Sequence, residues 1–305
     1  MDKPLVSVIC LTYNHAPYIR EALEGFVRQQ TSFPVEVIVH DDASTDGTAD
    51  VVREYAARYP DLFRPVFQRE NQYSQGIQLL PVFCFPLVRG RYVALCEGDD
   101  RWTDPTKLQR QVEAMESHPE VDICAHCVRR TRDGRPAGFI APRLRSGVIP
   151  AAQAVKALPL ATASLLIRTE AYLQVSPMRE IRYNDFAIQL QALARGGVLY
   201  LARCMAEYRW QTPGSWTAGH RGLKRVESRR EECRQVQAFD EWTGGKYHRA
   251  ASWRLRKAES SDLLAQHHYA RLLGPRWLPW MLCRLGRTLL RKFRNFYCSI
   301  RWRSM

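Results

Sequence analysis

The first two-thirds of the chain alternate between apolar runs of strand length and stretches of helical period, and this alternation limits the fold more than any other feature. Leu5–Thr12, Val35–His40, Phe63–Phe67, Tyr92–Cys96, Val121–Val128 and Ala163–Ile167 are short, apolar and rich in β-branched residues. Between them Tyr18–Gln30, Thr48–Tyr59, Ile77–Val88, Pro105–Ser117, 151–158 and 185–195 carry apolar residues at helical spacing. Strands that alternate with helices imply parallel pairing and right-handed crossovers, giving an α/β fold with an open, mostly parallel sheet flanked by helices. In such sheets ligands sit beyond the carboxyl ends of the strands, which directs attention to the residues just after each apolar run. Asp133-Gly134 predicts a hairpin turn.

The pattern changes near residue 215. The segments 220–242 and 248–273 read as long, charge-rich helices, with Pro275 breaking the second. The expected organisation is a domain over 1–215 followed by a helical C-terminal extension over 216–305.

Charge is distributed unevenly. The net charge is +14, and Arg271–Met305 holds nine Lys/Arg and no Asp or Glu. In the tail, 275–305, Leu278, Met281, Leu282, Leu285, Leu289, Phe293, Phe296 and Ile300 share one helical face, with arginines opposite and Trp277, Trp280 and Trp302 flanking. This pattern predicts a helix lying in an anionic membrane surface; the other reading is a helix packed on the domain. No apolar run approaches the roughly 18 residues of a spanning helix, and no secretory leader is expected from Leu5–Cys10. Nine scattered cysteines argue against a disulfide scaffold and for a reducing, cytoplasmic location. Cys124-Ala125-His126-Cys127 has no second pair to support a zinc site.

Two acidic clusters fall where a ligand is expected. His40-Asp41-Asp42 closes the second apolar run and Glu97-Gly98-Asp99-Asp100 the fourth. Hard cations such as magnesium or manganese take one or two carboxylates together with substrate phosphates, which such turns can supply. Asp and Gly also favour plain turns, and Ser44-Thr45-Asp46-Gly47-Thr48 suits a helix cap.

In order along the chain, Val6–Asn14, Val39–Thr48, Tyr92–Asp100, Trp102-Thr103-Asp104-Pro105, Lys107-Leu108, Asn184-Asp185 and Tyr208-Arg209 resemble the successive signatures of the family 2 glycosyltransferases. The resemblance covers roughly residues 5 to 217. It implies the glycosyltransferase A fold and an inverting, metal-dependent transfer of a hexosyl-type sugar. By position, Tyr13 matches the aromatic that lies against the base. Asp42 matches the acid that binds base or ribose, with Asp41 beside it. Glu97 and Asp99 match the metal carboxylates, Asp99 as direct ligand and Glu97 at longer reach, through water. Asp185 matches the catalytic base, and Arg69 lies in a loop that approaches the donor. Gln211 stands about where relatives carry a histidine, and His220 is the nearby substitute.

The implied cofactor is Mg2+ or Mn2+. The implied partners are a UDP-type nucleotide-sugar, a glycan or lipid-linked acceptor and an anionic membrane surface, with no nucleic acid. The location follows as cytoplasmic, peripheral on the inner face of the cell membrane, in cell-surface polysaccharide or lipid-linked glycan assembly. Two other readings stay open. A metal-dependent nucleotidyltransferase would carry a glycine-rich basic loop after the first strand, where Thr12-Tyr13-Asn14-His15 stands. A basic membrane-surface adaptor with a non-catalytic sugar-nucleotide domain would keep its binding when the acids are removed.

Overall fold

The computed structural model describes residues 3–141, 144–157, 160–174, 185–211 and 223–265. The chain divides into two compact units, Met1–Arg254 and Leu255–Met305. The tail at 275–305, His220, His267 and His268 lie outside the described residues.

The first strands form as the apolar runs require. β1 (Val6–Thr12) pairs in parallel with β2 (Val35–Asp41) on one side and with β4 (Tyr92–Leu95) on the other, and β3 (Phe63–Phe67) adds in parallel to β2. The helices between them, α1 (Ile19–Val27) and α2 (Thr48–Arg58), are amphipathic. α1 buries Ile19, Ala22, Leu23 and Phe26, the i, i+3, i+4 and i+7 positions of one face. α2 buries Val52 and Tyr55, and α3 (Lys107–Glu116) buries Leu108, Val112 and Met115. These side chains meet Val6, Val8, Cys10, Val37, Val39 and Ala94 in one core. Ile9, Ile38 and Val93, the intervening residues of the strands, are buried too. Burial on both faces is what near-continuous apolar strands require.

The remaining strands complete one twisted sheet in the order β3-β2-β1-β4-β9-β6-β10-β5. β9 (Leu166–Arg168) is antiparallel to β4 and to β6 (Ile123–Arg132), so β6 runs the same way as β4. β10 (Val198–Arg209) is parallel to β6. At the margins β5 (Arg101–Trp102) and β8 (Gly147–Ile149) pair antiparallel with β10, and β7 (Arg135–Ile140) returns from β6 as the hairpin that Asp133-Gly134 predicts. The carboxyl ends of β1, β2, β4, β6 and β10 therefore face one end of the sheet.

Two stretches differ from the sequence expectation. The segment 77–88 is not a continuous α-helix: a wide turn at Leu80–Cys84 runs into a tight one at Phe85–Leu87, with Pro81 and Pro86 removing the amide donors a regular helix would use. The second is β10, a strand the apolar runs did not reveal because it shows no clean two-residue alternation. Its pairing with β6 slips between Leu201 and Cys204 and again between Cys204 and Ala206, leaving Ala202, Arg203 and Cys204 exposed.

Helices α4 (Ala151–Ala157), α5 (Thr169–Leu173) and α6 (Asp185–Leu193) follow the hairpin region. Then α7 (Leu223–Trp242) and α8 (His248–Ala265) form; the first packs on α6. Among the described residues no helix is long and apolar enough to cross a membrane.

Candidate active site

β4 ends at Leu95, and the chain turns through Glu97-Gly98-Asp99-Asp100 into β5. The turn is held tightly. Gly98 N donates to Leu11 O at 2.9 Å and Asp100 N to Glu97 O at 3.0 Å. A Cβ on Gly98 would lie 2.6 Å from Thr12 Oγ1 and 3.0 Å from His15 Nδ1, so only glycine fits between these loops. The acids are pressed together in a dry place. Asp99 and Asp100 are buried, and Glu97 keeps a partly exposed edge. Burial, and then the negative charges of Asp99 and Asp185, push Glu97 up to about 8. Asp100 is raised well above the usual carboxylate range by burial and by Asp99 and Glu97. Its Oδ1 accepts Arg209 N at 2.9 Å, while Oδ2 has no hydrogen-bond partner among the described residues.

The loops after β1 and β2 are knitted together beside this turn. Asn14 N donates to Ser44 Oγ at 2.9 Å, Thr45 N to Asn14 Oδ1 at 2.8 Å and His15 N to Thr48 Oγ1 at 2.8 Å. Asp46 accepts from Thr48 N at 3.0 Å and from Ala16 N at 2.9 Å, acting as a helix-entry cap that also anchors the neighbouring loop. Asp41 is occupied locally: its Oδ1 accepts Ser44 Oγ and its Oδ2 accepts Ser44 N at 3.2 Å. Asp42, also buried, accepts Gln72 N at 2.9 Å and Tyr73 N at 3.0 Å, folding the 68–76 loop against β2. Arg69 is exposed on that loop, and Tyr13 exposes 42% of its surface just past the end of β1. The two carboxylates at 41–42 thus shape the rim, and Tyr13 is the open aromatic face on it.

Asp185 begins α6 and is brought to the acidic turn, close enough for its charge to raise Glu97. Its Oδ2 accepts Thr162 Oγ1 at 3.0 Å and its Oδ1 accepts Phe186 N at 2.9 Å, which fixes the carboxylate. Burial raises its pKa.

Several residues that the sequence did not single out complete the surroundings. Glu232 of α7 feels both Asp185 and Arg254, and burial raises it. The Arg254 guanidinium lies 4.4 Å from the Phe186 ring centroid and donates to Val155 O at 3.1 Å. His15 is held below its usual pKa by burial, against the pull of Asp99, Asp46 and Asp41. His15 Nδ1 and Thr12 Oγ1 are buried without a hydrogen-bond partner among the described residues. Only the arrangement of histidine and serine/threonine/aspartate after adjacent apolar runs could have signalled these contacts in advance.

On the far side β10 closes the site. Arg209 Nη1 donates to Asp99 O at 2.8 Å, and its guanidinium also pairs with Glu21 at 2.9 Å. Gln211 follows with a left-handed backbone, φ 62°.

Carboxylate oxygens are the donor chemistry that suits a hard divalent cation. Among the described residues no three His, Cys, Asp or Glu side chains are grouped so as to enclose a metal. One or two carboxylates completed by substrate phosphate oxygens is the usual magnesium arrangement. After burial, it is the negative charge of Asp99 and Asp185 that raises Glu97, the kind of field a cation relieves.

A family model described as Glycosyl transferase family 2 matches residues 7–157, the span from β1 through the acidic turn to α4. The chain belongs to the family 2 glycosyltransferases. Rv1520 of Mycobacterium tuberculosis (strain ATCC 25618 / H37Rv) is 37% identical over 216 residues, 70% of this chain and 61% of its own length. The chain therefore spans about three-fifths of that relative. TuaG of Bacillus subtilis (strain 168), named for teichuronic acid biosynthesis, is 29% identical over 208 residues, 68% of this chain and 79% of its own. Among solved structures, S. aureus TarS 1–349 in complex with UDP-GlcNAc aligns with a TM-score of 0.59 at 18% identity, covering 78% of this chain and 71% of that one. The mannosyltransferase PcManGT from Pyrobaculum calidifontis, in complex with GDP-Man and Mn2+, aligns with a TM-score of 0.54 at 20% identity, covering 92% and 84%. At these identities the likeness is one of fold, and this family 2 member has the glycosyltransferase A fold.

Proposed function

We propose that this chain transfers a hexosyl-type sugar from a nucleotide-diphosphate sugar to an acceptor hydroxyl with inversion. The observation that carries the reading is the convergence of Asp185 on the Glu97–Asp100 turn at the carboxyl end of the sheet, where burial, then Asp99 and Asp185, push Glu97 up to about 8. Family membership supports the reaction class, and the nucleotide-sugar complexes of TarS and PcManGT support the donor class, with UDP-type favoured.

Inversion needs a base on the acceptor side and charge stabilisation on the donor side. Asp185 takes the proton from the attacking hydroxyl; burial brings its pKa toward the working range of a general base. Asp99, with Glu97 at longer reach, would hold a magnesium or manganese ion, which when bound neutralises charge on the departing diphosphate. Tyr13 offers its face to the base, Asp42 and Asp41 hold the rim that receives base and ribose, and exposed Arg69 approaches the diphosphate. Thr162 and the start of α6 keep the Asp185 carboxylate aimed.

In this reading 1–215 carries the donor and acceptor chemistry and 216–305 is an extension. The name of TuaG supports a role in polysaccharide or lipid-linked glycan assembly. The amphipathic tail supports peripheral attachment to the inner membrane face, so removing 275–305 should abolish co-sedimentation with anionic vesicles; unchanged co-sedimentation would sink the attachment.

The reaction itself is tested by nucleotide release from a panel of nucleotide-sugars with manganese. Asp99→Ala and Asp185→Ala should each lose at least about a hundredfold in turnover relative to wild type, since loss of a general acid–base group alone costs 10²–10⁴-fold. Equal turnover in all three proteins removes the assignment, and retained binding of donor and membrane in both variants would favour a non-catalytic adaptor.

A further inference from the structure

The β6–β7 hairpin carries like charges where folding alone would not put them. Its two-residue turn, Asp133-Gly134, has φ of 49° and 72°, the paired positive values of a tight hairpin. That turn sets Arg132 directly opposite Arg135. Like charges in this position destabilise an antiparallel pair. Arg130, two residues back, shares the face. Trp210 gathers two of the three: Arg130 Cζ lies 4.7 Å and Arg132 Cζ 5.5 Å from its ring centroid. Arg130 is further fixed by donating from Nε and Nη2 to Ala137 O. The neighbouring acids do little to offset this charge. Asp133 reaches Arg132 only at 3.7 Å with 80% of its side chain exposed, and Glu207 is engaged by Arg101 and Arg129.

The hairpin also sits at the right end of the sheet. β6 and β10 run parallel to β4, so Arg132 and Arg209 end their strands on the side where Glu97 follows its own. Trp210 N donates to Thr131 O at 2.8 Å, and one residue earlier Arg209 N donates to Asp100 Oδ1 at 2.9 Å. One strand thus connects the arginine face to the acidic turn.

We propose that Arg130 and Arg132, held on Trp210, together with Arg135 form an acceptor subsite for an anionic saccharide chain bearing phosphate or carboxylate groups. This rests on the donor-site reading above and adds the chemical class of the acceptor. Guanidinium groups pair bidentately with either anion, and a bound anion turns the Arg132–Arg135 repulsion into shared attraction. A chain lying along this face leads to the end of the sheet where Asp185 waits. A bilayer is the other anionic surface to consider. It is disfavoured because Phe139, 52% exposed, registers with Arg129 and so lies on the opposite face of the hairpin from the cluster.

The test is binding of a labelled glycerol phosphate oligomer, an oligogalacturonate and an uncharged maltohexaose to the full chain. Wild type should bind at least one anionic oligomer ten times more tightly than maltohexaose. Arg130→Gln/Arg132→Gln and Arg132→Gln/Arg135→Gln should each weaken that binding about tenfold or more. Arg132→Gln/Arg135→Gln should melt no lower than wild type without ligand, because a repulsive pair has been removed. Equal oligomer affinity in wild type and variants, binding of maltohexaose as tight as the anions, no oligomer binding at all, or arginine-dependent binding only to phosphatidylglycerol vesicles would each overturn the proposal. Donor hydrolysis by the wild-type preparation separates the two readings. If hydrolysis persists while oligomer binding ignores the arginines, the acceptor assignment alone fails; if hydrolysis is absent, the donor-site reading fails instead.

Discussion

Glu97 holds its proton more tightly in the folded chain than in the unfolded one, because burial and the charges of Asp99 and Asp185 raise it from 4.5 to about 8. A carboxyl raised in this way stabilises the fold while protonated, and that contribution is lost as pH rises from 4.5 toward 8. Metal-free protein should therefore show a falling Tm between pH 5 and 8 in differential scanning calorimetry. Glu97→Gln, which keeps the shape and cannot ionise, should flatten that slope. It should not abolish it, since Asp100 and Asp185 are raised in the same direction. A wild-type Tm that rises over this range would contradict the crowding of carboxylates at the turn. At this scale the sequence revealed the acids themselves, because each follows an apolar run or opens a helical one. It did not reveal that Asp41 and Asp42 spend their oxygens on Ser44 and on the 72–73 amides, nor that Glu232 and Arg254 approach Asp185. The Asp41–Ser44 contact is a local turn, whereas the 72–73 amides, Glu232 and Arg254 are brought in by tertiary packing between segments far apart in the chain, which no local pattern encodes.

Among the elements, β10 does the most to assemble the site and was the least visible. Period-two alternation is the signal by which a half-buried strand is recognised. Two slips of register in Leu201–Ala206 break that period, and Ala202, Arg203 and Cys204 face water in succession. The strands that carry Thr12, Asp41 and Cys96 were legible because burial on both faces makes them continuously apolar. β10 is pinned by Glu207, a buried carboxylate that pairs with Arg129 at 2.6 Å and Arg101 at 3.3 Å, linking β6, β10 and β5. Glu207→Gln should lower stability by about 1–3 kcal/mol, seen as a reduced denaturation midpoint in urea. It should also loosen the Arg209 contact with Asp99 and Asp100, so donor affinity falls with it. An unchanged midpoint would mean that β10 is held by its backbone ladder alone.

At the scale of the whole molecule, the parallel strands of the first unit bring Tyr13, the rim acids and the acidic turn to one end of the sheet, and α6 adds Asp185. β1 and β2 deliver Tyr13 and the rim acids, β4 delivers the acidic turn, and β6 with β10 delivers the arginine face and the closing Arg209. The fold is shared with TarS and PcManGT despite identities of 18% and 20%. In the proposed reaction the Glu97–Asp99 turn receives a nucleotide diphosphate together with a divalent cation. Isothermal titration of UDP into the full chain, with and without Mn2+, tests this without knowledge of the sugar or the acceptor. Mn2+ should tighten UDP binding at least tenfold in wild type and have no effect in Asp99→Asn. Equal enhancement in both proteins, or none in wild type, would contradict it.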